Sequence, residues 1–374
     1  MVNRPHLHNR LPSKSHSLTV SQPSSLPAFT ASQSSDLLSM KRKTAFDVPA
    51  AAAGLALADF LASRFPYHDR AGWCDRIRSG HVTVNARMRL PDEALQPGDR
   101  LAYDTSDIPE PPVDFTIGVV SDDADLLIVN KSGNLPCHPG GRYFNHTLWA
   151  WLKDVRGMSD PSLVNRIDRE TSGLVVVAKN PAAAHNCGKQ FANRQVVKRY
   201  TVLVEADAFP SELNGGGWLL PDTASAVRKK CRVVLGSIAD LPGPEAVWVE
   251  TRFRLLAQRP GVALIEAEPL TGRLHQIRAT LLALGYPVVG DKLYGRDETA
   301  FIRFCEGRLT DADRSVLRMD RQALHASGLS FRHPKFGLPV SYQIDIPDDM
   351  QRVLTSIDED CRLLPLSGNA IITP

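Results

Sequence analysis

Chelating and cofactor signatures are missing from this 374-residue chain. Its six cysteines stand at 74, 137, 187, 231, 305 and 361, and no two fall at a CxxC spacing. That leaves neither a zinc-ligand pattern nor the paired framework of a disulfide scaffold, and it points to a reducing compartment. No glycine-rich dinucleotide or nucleotide-phosphate loop is present. Long hydrophobic runs are also missing. The most apolar stretch, residues 50–62, is short and carries Asp59, whereas a membrane-spanning helix needs roughly 20 apolar residues. The sequence has no repeat of fixed period and no regular βαβ rhythm. With 43% hydrophobic and 23% charged residues, it has the makings of a sizeable core and is no disordered chain, collagen or coiled-coil rod. Excess charge is scarce too. The net +3 divides into +5 over residues 1–45 and −2 over the remainder, so any polyanion must be met by a local patch.

What is present falls into four parts. Residues 1–45 hold ten serines, six Lys/Arg and one acid, the composition of a disordered basic tail. A targeting segment and a true start at Met40 are alternative accounts of it. Residues 46–108 read as a small unit. Leu57, Phe60 and Leu61 have helical spacing, Trp73, Arg76 and Ile77 sit on a second short helix closed by Gly80, residues 81–85 alternate as a strand, and Pro97–Asp99 is a turn. Pro109–Pro112 reads as a stiff linker. Residues 113–350 form the large unit, and 351–374 a tail. Strands are expected at 115–120, 126–130, 174–178, 200–204, 247–256, 262–267 and 340–344, and helices at 146–155, 181–193 and 274–284. Many strands with occasional helices indicate an α+β domain on a mostly antiparallel mixed sheet.

Three stretches carry possible chemistry. Asn165-Arg-Ile-Asp-Arg-Glu-Thr-Ser-Gly-Leu174 is a charged loop running into an apolar strand, and it would present Arg166, Asp168 and Thr171 at a sheet edge. By itself, an Asp before a strand is more often a turn or cap residue than a reactive group. Arg273-Leu-His-Gln-Ile-Arg278 opens a helix with cations in its first turns, which calls for a compensating anion, a carboxylate or RNA phosphate. Lys198-Arg199-Tyr200 places an aromatic at a strand start, where a half-buried core role is the plain alternative.

In their order and spacing these stretches resemble the RluA family of pseudouridine synthases. The family pattern H-R-L-D-x-x-T-S-G-L meets Asn165–Leu174 with Asn165 for His and Ile167 for Leu, and R-x-H-Q-I-R meets Arg273–Arg278 without a gap. Gly290–Gly295, Ala323–Ala326 and His333-Pro334 follow the family in turn, and Asn130–Leu135 resembles its N-K-P-x-G segment with Ser132 for Pro. Residues 56–104 resemble the small αL RNA-binding unit of ribosomal proteins and RNA-modifying enzymes, with Trp73, Ile77, Gly80, Val82, Val84, Asn85, Gly98 and Asp99 on its skeleton. Arg70, Arg76 and Arg78 would give that unit a phosphate-facing edge, with Asn85 beside it.

The resemblance implies an enzyme that isomerises uridine to pseudouridine in RNA. The uracil leaves the ribose, turns and returns through carbon, with no redox or hydrolytic step, so neither cofactor nor metal is expected. It implies that Asp168 is the essential carboxylate, acting as nucleophile or base. Arg278 would pair with it and favour its charged form, and Tyr200 would stack on the uracil. Substrate contacts are expected from Arg166, Thr171, Ile277, Arg273, His275, Gln276 and Lys131. The uridine must leave its stack, with Arg166 filling the vacated space. Arg228–Arg232 is a further basic cluster that could track RNA backbone. Residues 137–148 resemble the H-P-x-G-R-Y segment of relatives acting on transfer RNA near the anticodon, so a transfer RNA substrate is expected, with large-subunit ribosomal RNA as the alternative. A cytoplasmic monomer with RNA as partner and no membrane association completes the expectation. Competing readings are a non-catalytic RNA-binding or ribosome-assembly factor, and a hydrolase that would need a second carboxylate or a metal cluster at Asp168. A fused deaminase is excluded, because Pro136-Cys137 lacks the second cysteine its motif requires.

Overall fold

The computed structural model describes residues 43–65, 68–104, 106 and 109–356. Most of the expected tails, residues 1–42 and 357–374, lies outside the described residues. The small unit begins earlier than expected. Strand β1 (Lys43–Asp47) takes in three residues assigned to the tail, because the strand pairs antiparallel with β3 over that whole length. Helices α1 (Leu57–Arg64) and α2 (Arg70–Arg78) follow, then β2 (Val82–Val84) and β3 (Arg100–Asp104), in a three-stranded sheet of order β1-β3-β2. The spacing that suggests helices is the spacing that fills the core: Leu57, Leu61, Trp73, Ile77, Val82, Val84 and Leu101 are all buried together.

The segment expected as a stiff linker is fastened to the large unit. The Glu110 carboxylate accepts three successive backbone N–H groups, from Phe144 (2.6 Å), Asn145 (2.8 Å) and His146 (2.9 Å). Asn134 donates its side-chain amide to the Pro112 carbonyl (3.3 Å).

The large unit opens with the hairpin β4 (Ile117–Asp122) and β5 (Leu126–Lys131), then α3 (Leu148–Asp154), β6 (Ser162–Leu163), β7 (Ser172–Ala178) and α4 (Pro181–Ala192). Strands β8 (Val197–Glu205), β9 (Glu212–Pro221), β10 (Cys231–Leu235), β11 (Val247–Arg259) and β12 (Val262–Pro269) lead to α5 (Gln276–Ala283). Helices α6 (Thr299–Cys305) and α7 (Asp311–Leu317), strands β13 (Leu324–Arg332) and β14 (Pro339–Gln343), and α8 (Asp348–Ser356) complete it. The sheet has 11 strands in the order β10-β9-β11-β12-β8-β13-β7-β5-β4, with β14 beside β13 and β6 beside β7. Every pairing is antiparallel except β13 with β7. The α+β, mostly antiparallel architecture is the expected one.

Two departures have clear causes. α5 starts at Gln276 rather than Leu274, because His275 sits in the left-handed region at φ 56° and blocks an earlier helical turn. α8 carries the domain past residue 350, since Met350, Val353 and Leu354 are buried in the main core.

The parallel junction of β7 and β13 positions the site. β7 is buried along its length, and each of its aliphatic side chains contributes about 1.5–3 kcal/mol by burial. Its register with β13 begins at Ser172↔His325 and Gly173↔Ala326. Only glycine fits at 173: φ is +115° and a Cβ there would lie 2.4 Å from the Ala326 carbonyl oxygen. The chain thereby ends its charged loop at mid-sheet.

Candidate active site

Asp168 lies in that loop, and its position is set from two sides. From α5, Arg278 Nη1 donates to Asp168 Oδ2 at 2.9 Å. From the segment before β13, Gln322 Nε2 reaches the same oxygen at 3.3 Å and Thr171 Oγ1 at 2.6 Å. Asp168 Oδ1 takes no hydrogen bond among the described residues, and His275 Nε2 stands 4.0 Å from it. The Asp168 side chain is 24% exposed, with one carboxylate oxygen anchored and the other not held by a hydrogen bond.

Arg278 is itself fixed from behind. Its Nε and Nη2 donate to Asp291 Oδ2 (2.6 Å) and Oδ1 (2.9 Å), and Asp291 also accepts the N–H groups of Leu293 (3.0 Å) and Tyr294 (2.8 Å). Burial works against the Arg278 charge, but Asp291 and then Asp168 outweigh it, so the guanidinium is held protonated more firmly than usual. Burial likewise opposes the Asp291 charge, yet Arg278 and the backbone donors hold it below the usual carboxylate range. The anion that a cationic helix start calls for is thus a pair of carboxylates. A two-pronged salt bridge of this kind fixes the plane of the guanidinium, and so the direction of Nη1.

Tyr200, on β8, packs against the clusters on both sides of the loop, alongside Ile277 and Ile167. Burial first, then the charge of Asp168, raises its hydroxyl well above the ordinary phenol range, so at neutral pH it is a neutral group. His275 contacts Tyr294 edge-on at 5.4 Å, and its Nδ1 lies 3.0 Å from the Tyr294 hydroxyl. Burial depresses the basicity of His275, and Asp168 only partly restores it.

Of the residues singled out in the sequence, the fold brings Asp168, Tyr200, Arg278, His275, Ile277 and Thr171 together. Arg166 and Arg273 are exposed. Two others take structural places rather than substrate-facing ones. Gln276 spends its amide inside the protein, accepting from Thr271 Oγ1 (2.7 Å) and Arg273 N (3.1 Å) and donating to the Glu250 carbonyl and Thr251 Oγ1 (both 3.0 Å). Lys131 is fully buried beneath the loop, where its ammonium donates to the carbonyls of Ser132 (2.7 Å) and Arg169 (3.2 Å). Burial pushes its pKa down to about 8.

The proposed phosphate edge of the small unit is also thinner than expected. Arg76 is buried and donates to the Asp104 carbonyl. Asn85 is a turn residue at φ 53°, bonded to Asp99 (2.7 Å) and the Arg100 N–H (2.8 Å). Arg70 bridges Asp59 (2.7 Å) and Asp92 (2.5 Å) on the surface, and Arg78 is the more open of the two exposed arginines, with Asp75 at 3.5 Å.

The residues that support Asp168 from behind carry little signal in the sequence. Asp291 and Tyr294 stand inside a stretch noted only as a motif, and Gln322 gave no signal. Arg169 and Glu170, beside Asp168, face away from it. Arg169 donates to Tyr143 Oη (2.8 Å), Asn134 Oδ1 (3.1 Å) and Glu170 (2.7 Å), while Glu170 accepts from Lys292 (3.0 Å). Glu170 is therefore a strut, not the second carboxylate of a hydrolase.

A loop-borne carboxylate at mid-sheet, clamped by a buried arginine beside an apolar aromatic shelf, defines a site for acting on a nucleoside. Comparison with known proteins agrees. Residues 125–283 match the family model described as RNA pseudouridylate synthase. The chain is 34% identical over 312 residues to "Ribosomal large subunit pseudouridine synthase D" of Zymomonas mobilis, covering 80% of this chain and 92% of that one. It is 27% identical over 287 residues to "tRNA pseudouridine(32) synthase, mitochondrial" of Saccharomyces cerevisiae, covering 75% and 59%. The solved structure of "Human RNA Pseudouridylate Synthase Domain Containing 4" superposes with a TM-score of 0.50 at 23% identity, covering 64% and 92%, and shares the fold. The chain belongs to the RNA pseudouridylate synthase family, in its RluA-type branch. It is an enzyme that isomerises uridine in RNA to pseudouridine.

Proposed function

We propose that Asp168 is the carboxylate that acts on the ribose of the target uridine. The observation that carries this reading is the asymmetry of its two oxygens: Oδ2 is fixed by Arg278 and Gln322, while Oδ1 takes no hydrogen bond among the described residues, in a side chain that is 24% exposed. A carboxylate oriented by a locked guanidinium is pre-organised for attack or proton abstraction without moving. Tyr200 and Ile277 form the apolar surface for the detached uracil, and the Tyr200 hydroxyl is available late in the reaction as a neutral donor. Arg166, Arg273 and the Arg228–Lys229 turn meet the RNA backbone, with Arg78 and neighbouring basic residues of the small unit as an outer contact.

The RNA class we favour is large-subunit ribosomal RNA, supported by the similarity to the Zymomonas mobilis relative across nearly all of that protein's length. Transfer RNA, the class expected from residues 137–148, is the second reading, supported by the yeast relative. No described helix is long and apolar enough to cross a membrane, and a cytoplasmic monomer is the working assignment. Carbodiimide-based pseudouridine mapping tests the substrate class. Unmodified ribosomal and transfer RNA are incubated in parallel with the protein. A new stop in 23S-type RNA alone supports the first reading, a stop in transfer RNA alone replaces it with the second, and no stop in either overturns both.

A further inference from the structure

Next to the open oxygen of Asp168 stands a histidine whose proton position can be read from its neighbours. Tyr294 is fully buried. Its hydroxyl oxygen accepts the Cys231 N–H at 2.9 Å, and among the described residues the acceptor in reach of its own proton is His275 Nδ1, at 3.0 Å. A buried phenol proton seldom goes without a partner. Tyr294 therefore donates to Nδ1, and the neutral imidazole carries its hydrogen on Nε2, the nitrogen facing Asp168. Burial favours that neutral form.

His275 Nε2 and Asp168 Oδ1 are 4.0 Å apart, too far to bond each other. An oxygen placed about 2.9 Å from the nitrogen and about 2.7 Å from the carboxylate sees them at roughly a right angle, within ordinary hydrogen-bond lengths. To satisfy both sides, that atom must accept from Nε2–H and donate to Oδ1. Uracil carbonyls only accept and the uracil N3–H only donates, so neither does both. A hydroxyl does. Within an RNA chain the 3′ and 5′ oxygens are esterified, and the 2′-hydroxyl is the one that remains, both donor and acceptor.

We propose that His275 Nε2 and Asp168 Oδ1 form a donor–acceptor pair that grips the 2′-hydroxyl of the target uridine, which makes His275 the residue that distinguishes ribose from deoxyribose at this site. Tyr294 is a positioning residue that acts through His275 by fixing its tautomer. The inference rests on the reading above, in which Asp168 faces the ribose.

The test is a cycle between protein and substrate, run with the full chain on an RNA bearing the mapped target as uridine or 2′-deoxyuridine. Removing the 2′-hydroxyl slows single turnover by wild-type protein roughly tenfold to a hundredfold, and His275→Ala slows the ribose substrate by a similar factor. Combined, the two changes cost little more than either alone, because each removes the same contact. His275→Gln, which offers an amide N–H near the Nε2 position, recovers most of the loss, and Tyr294→Phe reproduces part of it on the ribose substrate only. The same cycle is read in Kd for product RNA with pseudouridine or its 2′-deoxy form, so a deoxy substrate that does not turn over still decides the matter. Thermal unfolding shows that the variants are folded. Losses that multiply, or a wild-type protein indifferent to the 2′-hydroxyl, overturn the proposal. Activity persisting in Asp168→Ala is a different failure, that of the catalytic assignment itself.

Discussion

The buried ion pair behind the catalytic loop separates stability from activity. Asp291 is 1% exposed and accepts four hydrogen bonds, two of them from Arg278. Asp291→Asn removes the charge while keeping the shape. Arg278, itself 7% exposed, is then left with Asp168 as its one charged partner, and the amide nitrogen of the asparagine faces a donor where an acceptor stood. Removing one partner of a buried pair costs about 3–5 kcal/mol. Asp168 is different. It is partly open, it accepts one good hydrogen bond and one long one, and its loss leaves Arg278 still paired with Asp291. Asp168→Ala should therefore cost about 1 kcal/mol or less. Activity runs the other way: Asp168→Ala has none, while Asp291→Asn keeps a residue of it because the carboxylate is present but poorly aimed. Urea unfolding of both variants at pH 7, beside a pseudouridine assay, reads the crossover. Equal destabilisation by the two substitutions, or a larger loss in Asp168→Ala, would refute the view that Asp291 supports and Asp168 reacts.

Other outcomes follow from the same geometry. Tyr200→Phe should stay within about 0.5 kcal/mol of wild-type stability, since the hydroxyl has no hydrogen-bond partner among the described residues. Its product formation should fall more than about tenfold, and an unimpaired rate would remove the hydroxyl from the chemistry. Gln322→Leu frees Asp168 and Thr171 on one side, so kcat should fall with KM nearly unchanged, and a pure KM effect would count against positioning. Lys131 binds its proton less well when folded, at a pKa of about 8 against about 10.4 unfolded. Between those values the unfolded chain carries a proton that the folded one does not, so stability rises with pH across that window. Lys131→Met should flatten the rise, which urea midpoints from pH 7.5 upward would show; an identical slope in the variant would assign it to other groups.

Helices and strands were legible where burial has a period. The alternation and helical spacing of the small unit's apolar residues mark the residues that fill its core, and the run at 174–178 is the fully buried central strand. Site residues were legible where chemistry clusters in sequence, as at 165–174 and 273–278. What could not be read is pairing across distance. Asp168 and Arg278 are 110 residues apart, and Gln322 lies 154 residues from Asp168. They meet only because β7 and β13 run side by side while α5 packs against the same sheet. Function-like residues also have structural duties that composition cannot reveal. Gln276, Arg76 and Asn85 all have polar ends suited to RNA, yet each is consumed by backbone or side-chain partners. Lys131 stands among the expected substrate contacts, but its buried ammonium is bonded to the carbonyls of Ser132 and Arg169. Strand β9 was missed because a run of glycines carries little strand signal. Gly215, Gly216 and Gly217 lie mid-strand, where a side chain at 215 or 217 would strike Thr280 or the Val234 carbonyl.

The most direct test of the account is tritium release from RNA labelled at C5 of uracil, since each isomerisation exchanges that hydrogen for the glycosidic bond. Wild-type protein and Asp168→Ala are compared on the same RNA, with Kd measured for both. The expected result is release by wild type, none above background by the variant, and RNA affinity weakened by no more than about tenfold, the loss of one ribose contact. Release by Asp168→Ala at the wild-type rate would contradict it.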